Sequence, residues 1–285
     1  GWDPRLAAHR LLIQIDIDPL EIGKNYPVDL SIVGDANAIL EVLADALSIP
    51  GSGEPRYAVS VLEQMRTKIP RYYDAEELQQ QAEILKPQAL VAKMNEILPE
   101  ETLVFVDNGN SFSWIGQYYE ARQTGSVFMA TNVASMGYAV AASIGGKVAA
   151  PDRPVVALLG DAAFAMNGME LHTAAEYNVP VIWVILNNGG HGMVYNGETL
   201  IVGKAFESVF RKPLDICAIA ASLGVQALKA TTLDEFADCL QQALDAQQPC
   251  VIDAIVDLEE IPHALKQRVD TLNVFFGKTT STIHV

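Results

Sequence analysis

Cysteine is scarce. The 285 residues hold three, Cys217, Cys239 and Cys250, an odd number with no C-x-x-C pair, which argues against both a disulfide framework and a structural zinc site. Scattered thiols of this kind are ordinarily core or surface residues. Long apolar runs are also lacking. Stretches such as Val155 to Leu159 and Val181 to Leu186 have the length of a buried strand, well short of the roughly 18 residues that a membrane helix requires. Positive charge is in short supply. The 19 Lys and Arg stand against 35 Asp and Glu, a formal charge of −16, with no basic cluster to offset it, so neither nucleic acid nor a membrane is an expected partner. No basic, apolar, small-residue sequence opens the chain, and a cytoplasmic location is expected.

What is present is a globular chain, half hydrophobic by composition, long enough for one good core and part of a second. Leu11 to Asp18 alternates like a strand, a short strand ends at Val33, and Ala36 to Leu47 reads as a helix. Over residues 1–49 this is about one and a half α/β units, too little for an independent core, so either the chain starts inside a domain or the missing strands come from elsewhere. The Pro-, Gly- and charge-rich stretch 50–86 reads as a linker with some helix. From Pro87 to Asp257 strands and helices alternate: helix Gln88 to Ile97, strand Thr102 to Val106, a helix from Ser111, strand Ser126 to Met129, helix Met136 to Ala149, strand Val155 to Leu159, helix Gly168 to Asn178, strand Val181 to Leu186, helices Leu214 to Leu223 and Leu233 to Ala246, and strand Val251 to Val256. Apolar strands alternating with helices predict an α/β, doubly wound parallel sheet covered on both faces. Residues 258–285 are left as a C-terminal tail.

The chemistry concentrates between Gly160 and Val194. Asp161 follows one buried strand and Asn187-Asn188 the next; if those strands are adjacent and parallel, both loops emerge at the carboxyl edge of the sheet, where open α/β sheets bind ligands. Asp161, Asn188 and the carbonyl of Gly190 would make a hard-oxygen half-shell for Mg²⁺ or Ca²⁺, with positions left for phosphate oxygens and water. Gly160, Ala162 and Ala163 let backbone N–H groups approach an anion, and Asn167 with Glu170 could cap the following helix. Taken alone, Gly-Asp and Asn-Asn are ordinary turn sequences. Asn110 and Ser111 read from the residues alone as helix N-cap positions; as candidate donors to a phosphate, weighed equally, they rest on the family resemblance that follows. Met136 at a helix start is ordinarily core. His191, on a Gly-rich loop, is a candidate acid/base or substrate contact, although loop histidines are commonly neither.

The spacing Gly160-Asp161-Ala162 to Asn187-Asn188, with Met169-Glu170-Leu171, Asn178-Val179-Pro180-Val181 and Gly192-Met193-Val194 on its flanks, resembles thiamine-diphosphate enzymes of the acetohydroxyacid synthase type. The likeness covers nearly the whole chain, since residues 15–40 are similar to the close of that family's central domain; Gly34-Asp35-Ala36 lacks an Asn-Asn partner and reads as a strand-to-helix turn. The resemblance implies a thiamine-diphosphate-binding fold (pyrophosphate domain, 87–257) preceded by the end of a Rossmann-like central domain. It also implies thiamine diphosphate and Mg²⁺ (or Ca²⁺) as cofactors, held by Asn110, Ser111, Ala134, Met136, Gly160, Asp161, Ala162, Ala163, Asn188, Gly190 and Met193. The carbonyl near Ala134 would accept from the aminopyrimidine, and Met136 would wedge the cofactor into its bent form. FAD in the central domain is not indicated.

The family's reaction is attack of the thiazolium carbanion on a 2-oxo acid, loss of carbon dioxide and transfer of the acyl unit to a second carbonyl compound. Its catalytic glutamate belongs to a pyrimidine domain that precedes the central domain, so this chain is expected to supply only part of an active site completed by that domain or a separate subunit, in a dimer or tetramer. Two departures stand out: Gly197 where acetohydroxyacid synthases usually have Trp, and His191 in place of Glu- or Gln-like residues. They imply a pocket for substrates bulkier than pyruvate. A simple 2-oxo acid decarboxylase is the alternative within the superfamily. A nucleotide-binding Rossmann domain would show G-x-G-x-x-G after its first strand, which is absent, and a non-catalytic relic would be expected to have lost Asp161 or Asn188.

Overall fold

A computed structural model describes residues 11–47, 56–72, 74, 78 and 82–275, and the chain divides into two compact units at Arg71 and Tyr72. In the first, β1 (Ile13–Asp16) and β2 (Leu30–Val33) pair in parallel, with Ile13 beside Leu30 and Asp16 beside Val33. Helix α1 (Ala36–Leu47) follows and buries none of its residues. Asp35 Oδ1 accepts from the Ala38 amide at 3.0 Å, so Gly34-Asp35-Ala36 is the strand-to-helix turn expected of it. Helix α2 (Arg56–Lys68) lies in the stretch read as linker, most of whose remaining residues, like 276–285 of the tail, fall outside the described set.

The second unit holds a six-stranded, wholly parallel sheet in the order β4-β3-β5-β6-β8-β7. Its elements in chain order are α3 (Pro87–Ile97), β3 (Leu103–Val106), α4 (Asn110–Tyr118), β4 (Val127–Met129), α5 (Tyr138–Ala149), β5 (Val155–Gly160), α6 (Asp161–Asn167), a 3₁₀ turn (Gly168–Glu170), α7 (Leu171–Glu176), β6 (Ile182–Asn187), α8 (Gly192–Val202), α9 (Ile216–Ser222), β7 (Gln226–Ala230), α10 (Leu233–Ala246), β8 (Cys250–Ile255) and α11 (His263–Phe275). Alternation along the strands sorts the core into two halves. Val156, Leu158, Val184 and Ile252 face α3, α4 and α10 through Leu90, Trp114, Phe236 and Leu240. Leu159, Trp183, Ile185 and Val251 face α5, α7 and α9 through Val140, Leu171 and Ile216. Both faces are covered, so the central strands read as continuous apolar runs.

Four elements differ from the sequence expectation. The crossover read as one helix over Gly168–Asn178 is two helices joined by the 3₁₀ turn, and the first begins at Asp161 itself. The capping pair Asn167 and Glu170 does not form: Asn167 Nδ2 donates to the Gly137 carbonyl at 3.1 Å, and Glu170 accepts from the Thr173 hydroxyl at 3.0 Å. Strand β7 and helix α8 were both unforeseen. The tail carries helix α11.

Candidate functional site

Strands β5 and β6 are direct parallel neighbours, with Gly160 beside Leu186 in the ladder, so Asp161 and the Asn187-to-Gly190 loop leave the sheet side by side at its carboxyl edge. Asp161 starts α6 and is 1% exposed. Its Oδ1 accepts from the Ala162 amide at 3.0 Å, while Oδ2 is buried with no partner. Burial pushes the carboxyl pKa up to about 6, against the amides of Ala162, Gly189 and Gly190, which favour the charged form. Asn188 brings a second buried oxygen without a partner, its Oδ1.

Gly190 is set by an antiparallel bridge to Val209, flanked by bonds from the His191 amide to the Ser208 carbonyl and from the Phe210 amide to the Gly189 carbonyl, both 2.8 Å. In that pattern the N–H and C=O of Gly190 point away from the 208–210 segment, and a Cβ at Gly190 would collide with the Ser208 backbone oxygen. The geometry therefore needs glycine here, and at Gly189 too, where φ is +77°.

These groups line a cavity of about 440 Å³, within the range usual for small-molecule sites. Asn110, Ser111, Ala134, Met136, Gly160, Asp161, Ala162, Ala163, Asn188, Gly190, His191 and Met193 all border it, so the residues singled out in the sequence meet in one place. His172, exposed on α7, does not border it.

Several roles change on inspection. Neither Asn110 nor Ser111 is an N-cap; that position is Gly109. The Ser111 hydroxyl donates to the Asp107 carbonyl at 2.9 Å and is not available as a donor to phosphate. Asn110 Nδ2 donates to Asn196 Oδ1 at 2.6 Å, and Asn196 Nδ2 donates to the Leu258 carbonyl at 3.2 Å. A carbonyl can only accept, so both amide orientations are determined. Asn110 thus keeps a buried oxygen without a partner, and its side chain offers an acceptor where a donor was expected. The Ala162 amide is likewise engaged, by Asp161. Ala134 adopts φ +57°, a left-handed conformation uncommon for a residue with a Cβ. His191 packs edge-on against Phe210, ring centroids 5.5 Å apart, at the start of α8.

Sequence reasoning missed Asp107. Fully buried, it accepts from the amides of Gly137 (3.0 Å) and Ala139 (2.8 Å) and so ties the end of β3 to the start of α5 beside Ala134 and Met136. Burial raises its pKa, with those amides opposing the rise. Trp114, Leu186, Val256, Asp257 and Glu260 also border the cavity. A signal for Asp107 was present: a lone carboxylate closing the apolar run Leu103–Val106.

Fold and cavity together define the class, an open parallel α/β protein with a cavity at the carboxyl ends of two adjacent central strands. Residues 107–254, just over half of the chain, match the model of the thiamine pyrophosphate enzyme, C-terminal TPP binding domain, and residues 1–43 match that of the thiamine pyrophosphate enzyme, central domain. The chain belongs to the thiamine pyrophosphate enzyme family. It is 31% identical over 89% of its length to a protein of Methanocaldococcus jannaschii described as "Probable acetolactate synthase large subunit". A Methanococcus aeolicus protein of the same description is 32% identical over 88% of the chain, and the "Acetolactate synthase large subunit" of Corynebacterium glutamicum 30% identical over 86%. The chain spans 43%, 44% and 40% of those relatives, less than half of each. Among the described residues no helix is long and apolar enough to cross a membrane.

Proposed function

We propose that this chain forms the diphosphate and metal half of a thiamine-diphosphate-dependent carboligase, which decarboxylates a 2-oxo acid and joins the acyl unit to a second carbonyl compound. The observation that carries the reading is the pair of buried oxygens without partners, Asp161 Oδ2 and Asn188 Oδ1, on neighbouring loops of one cavity. Buried polar atoms are normally satisfied, and a hard cation would satisfy both.

The residues fit Mg²⁺, or Ca²⁺: a carboxylate, an amide oxygen and the outward carbonyl of Gly190 are oxygen donors of the right kind. Among the described residues no group of three His, Cys, Asp or Glu side chains could hold a metal. Protein oxygens alone would therefore leave the ion under-coordinated, and diphosphate oxygens and water would complete the shell. Metal and cofactor should then bind as one unit. Thiamine diphosphate supplies, when bound, a carbon nucleophile that takes up an acyl group as carbon dioxide leaves. Ala134, Met136 and Met193 border the space its rings would fill, and His191 reaches the same space as a substrate contact or acid/base group.

The catalytic glutamate is assigned to a pyrimidine domain of the same protein or of a partner subunit, in a homo-oligomer. Glu260 borders the cavity, but Lys86 (2.9 Å) and the Gln88 amide (2.8 Å) hold its carboxylate. Burial alone would raise its pKa; those two partners outweigh it and keep the group ionised, an unsuitable proton donor. Gly197 does not border the cavity, so an acceptor pocket roomier than one for pyruvate alone rests on the resemblance and not on this position's surroundings.

The test is product analysis by NMR, with this chain and the N-terminal half of the protein combined, a 2-oxo acid as donor and pyruvate or a larger 2-oxo acid as acceptor. An acyloin product is expected. Aldehyde alone would favour the simple decarboxylase, and no turnover by the combined halves would contradict both readings.

A further inference from the structure

We propose that Asp253 is a positioning residue for the metal-binding loop, acting through Asn187 on the turn that presents Asn188 and Gly190. The inference rests on the metal-site reading above.

Strand β8 (Cys250–Ile255) reads CVIDAI and is buried on both faces; Asp253 is its single charged residue, 4% exposed. It stands between Ile185 of β6 and Lys229 of β7 in the ladder, on the face that also carries Val251, Trp183 and Ile185. A carboxylate in such a setting is costly unless its oxygens are engaged. Asp253 Oδ1 accepts from Asn187 Nδ2 at 2.8 Å, and Oδ2 has the Cys217 thiol at 4.0 Å, a weak donor.

The position of Asn187 gives this contact its consequence. Asn187 ends β6, is 8% exposed and immediately precedes Asn188. The Gly189 amide can only donate, so the Asn187 side chain turns its oxygen to that amide and its nitrogen to Asp253. That oxygen accepts from the Gly189 amide at 3.3 Å, closing a turn over two residues. Gly189 takes the left-handed conformation there, and Asn188 and Gly190 leave the turn on either side of it. Asp253 thus anchors the nitrogen end of one amide, and that amide shapes the loop carrying two of the three proposed metal-binding oxygens. Partners of this kind, which orient metal ligands without touching the metal, typically alter affinity about 10–100-fold when removed.

The test is an electron paramagnetic resonance titration of Mn²⁺ into the full chain with saturating thiamine diphosphate, for wild type, Asp161→Ala, Asp253→Leu and Asp253→Asn, with the melting temperature of each metal-free protein measured in parallel. Asp253→Leu is expected to weaken Mn²⁺ binding about 10–100-fold, and Asp253→Asn, whose side-chain oxygen can still accept from Asn187, to restore it to near wild type. Should Asp253→Leu fail to fold, Asp253→Ser, which leaves room for water, takes its place with the same expectation. Wild-type Mn²⁺ affinity in the Leu or Ser variant, with binding lost in Asp161→Ala, would overturn the role of Asp253 and leave the metal site intact. A variant that lowers only the melting temperature would do the same. Binding that survives Asp161→Ala unchanged would instead overturn the metal-site reading, and this inference with it.

Discussion

Asp161 holds its carboxyl where charge is costly, and burial lifts its pKa to about 6. An unfolded chain releases that proton near pH 4, about the ordinary value for Asp. Between the two values the native state binds more protons than the unfolded state. The carboxyl's contribution to stability is therefore fully favourable below about pH 4, falls as pH rises through 6, and is a cost at neutral pH. Asp161→Asn should raise the metal-free stability at pH 7.5 by on the order of 2 kcal/mol, an advantage absent at pH 4, and should abolish the rise in melting temperature that Mg²⁺ with thiamine diphosphate produces in the wild type. Thermal melts at the two pH values check both parts; an unchanged ligand-dependent rise would remove Asp161 from the metal site. Cys250 shows the same physics without a function. It is fully buried, and its thiol is pushed up to about 12 by burial, with Cys239 a smaller cause. It should not react with a thiol reagent at pH 8 until the chain unfolds, which mass spectrometry of the labelled protein would reveal.

At the scale of elements, the loop from Asn187 to Gly192 depends on backbone that a side chain would block. Gly190→Ala drives a Cβ into the Ser208 carbonyl oxygen and should open the bridge to Val209, costing on the order of 1–3 kcal/mol as an overpacked site does and weakening metal binding at least tenfold. Thr232 is the matching control. Its capping box with Glu235 starts α10, so Thr232→Ala should cost about 1 kcal/mol of stability and leave metal binding unchanged; calorimetry on both variants separates the two effects. The elements foreseen from the sequence are those whose residues carry their own signal. Val155–Leu159 and Val181–Leu186 announce strands because both sheet faces are covered, and Asp161 and Asn188 are recognisable because they follow those strands. Strand β7, Gln226–Ala230, escaped because it is an edge strand with mixed polarity, mostly half-buried. Helix α8 escaped because Gly192, Gly197 and its β-branched residues mask its period. The commitment of the Asn110 side chain was invisible for a different reason: Asn196 lies 86 positions from Asn110, and only the fold makes them neighbours.

On the scale of the whole molecule, a chain of net charge −16 is expected to bind a diphosphate through locally arranged groups, since its overall field opposes an anion. In the proposed reading a metal ion supplies the counter-charge and is held jointly by protein oxygens and the cofactor's diphosphate. On that same reading the chain forms a half-site whose complement lies on another domain. Affinity for the cofactor should therefore rise at least tenfold when the N-terminal half is added, as the second wall of the site closes. The most direct measurement is calorimetric titration of the full chain with thiamine diphosphate, with and without Mg²⁺, for wild type and Asp161→Ala. The account predicts binding that requires Mg²⁺ and is abolished by the substitution; binding indifferent to either, or none even with the N-terminal half present, would contradict it.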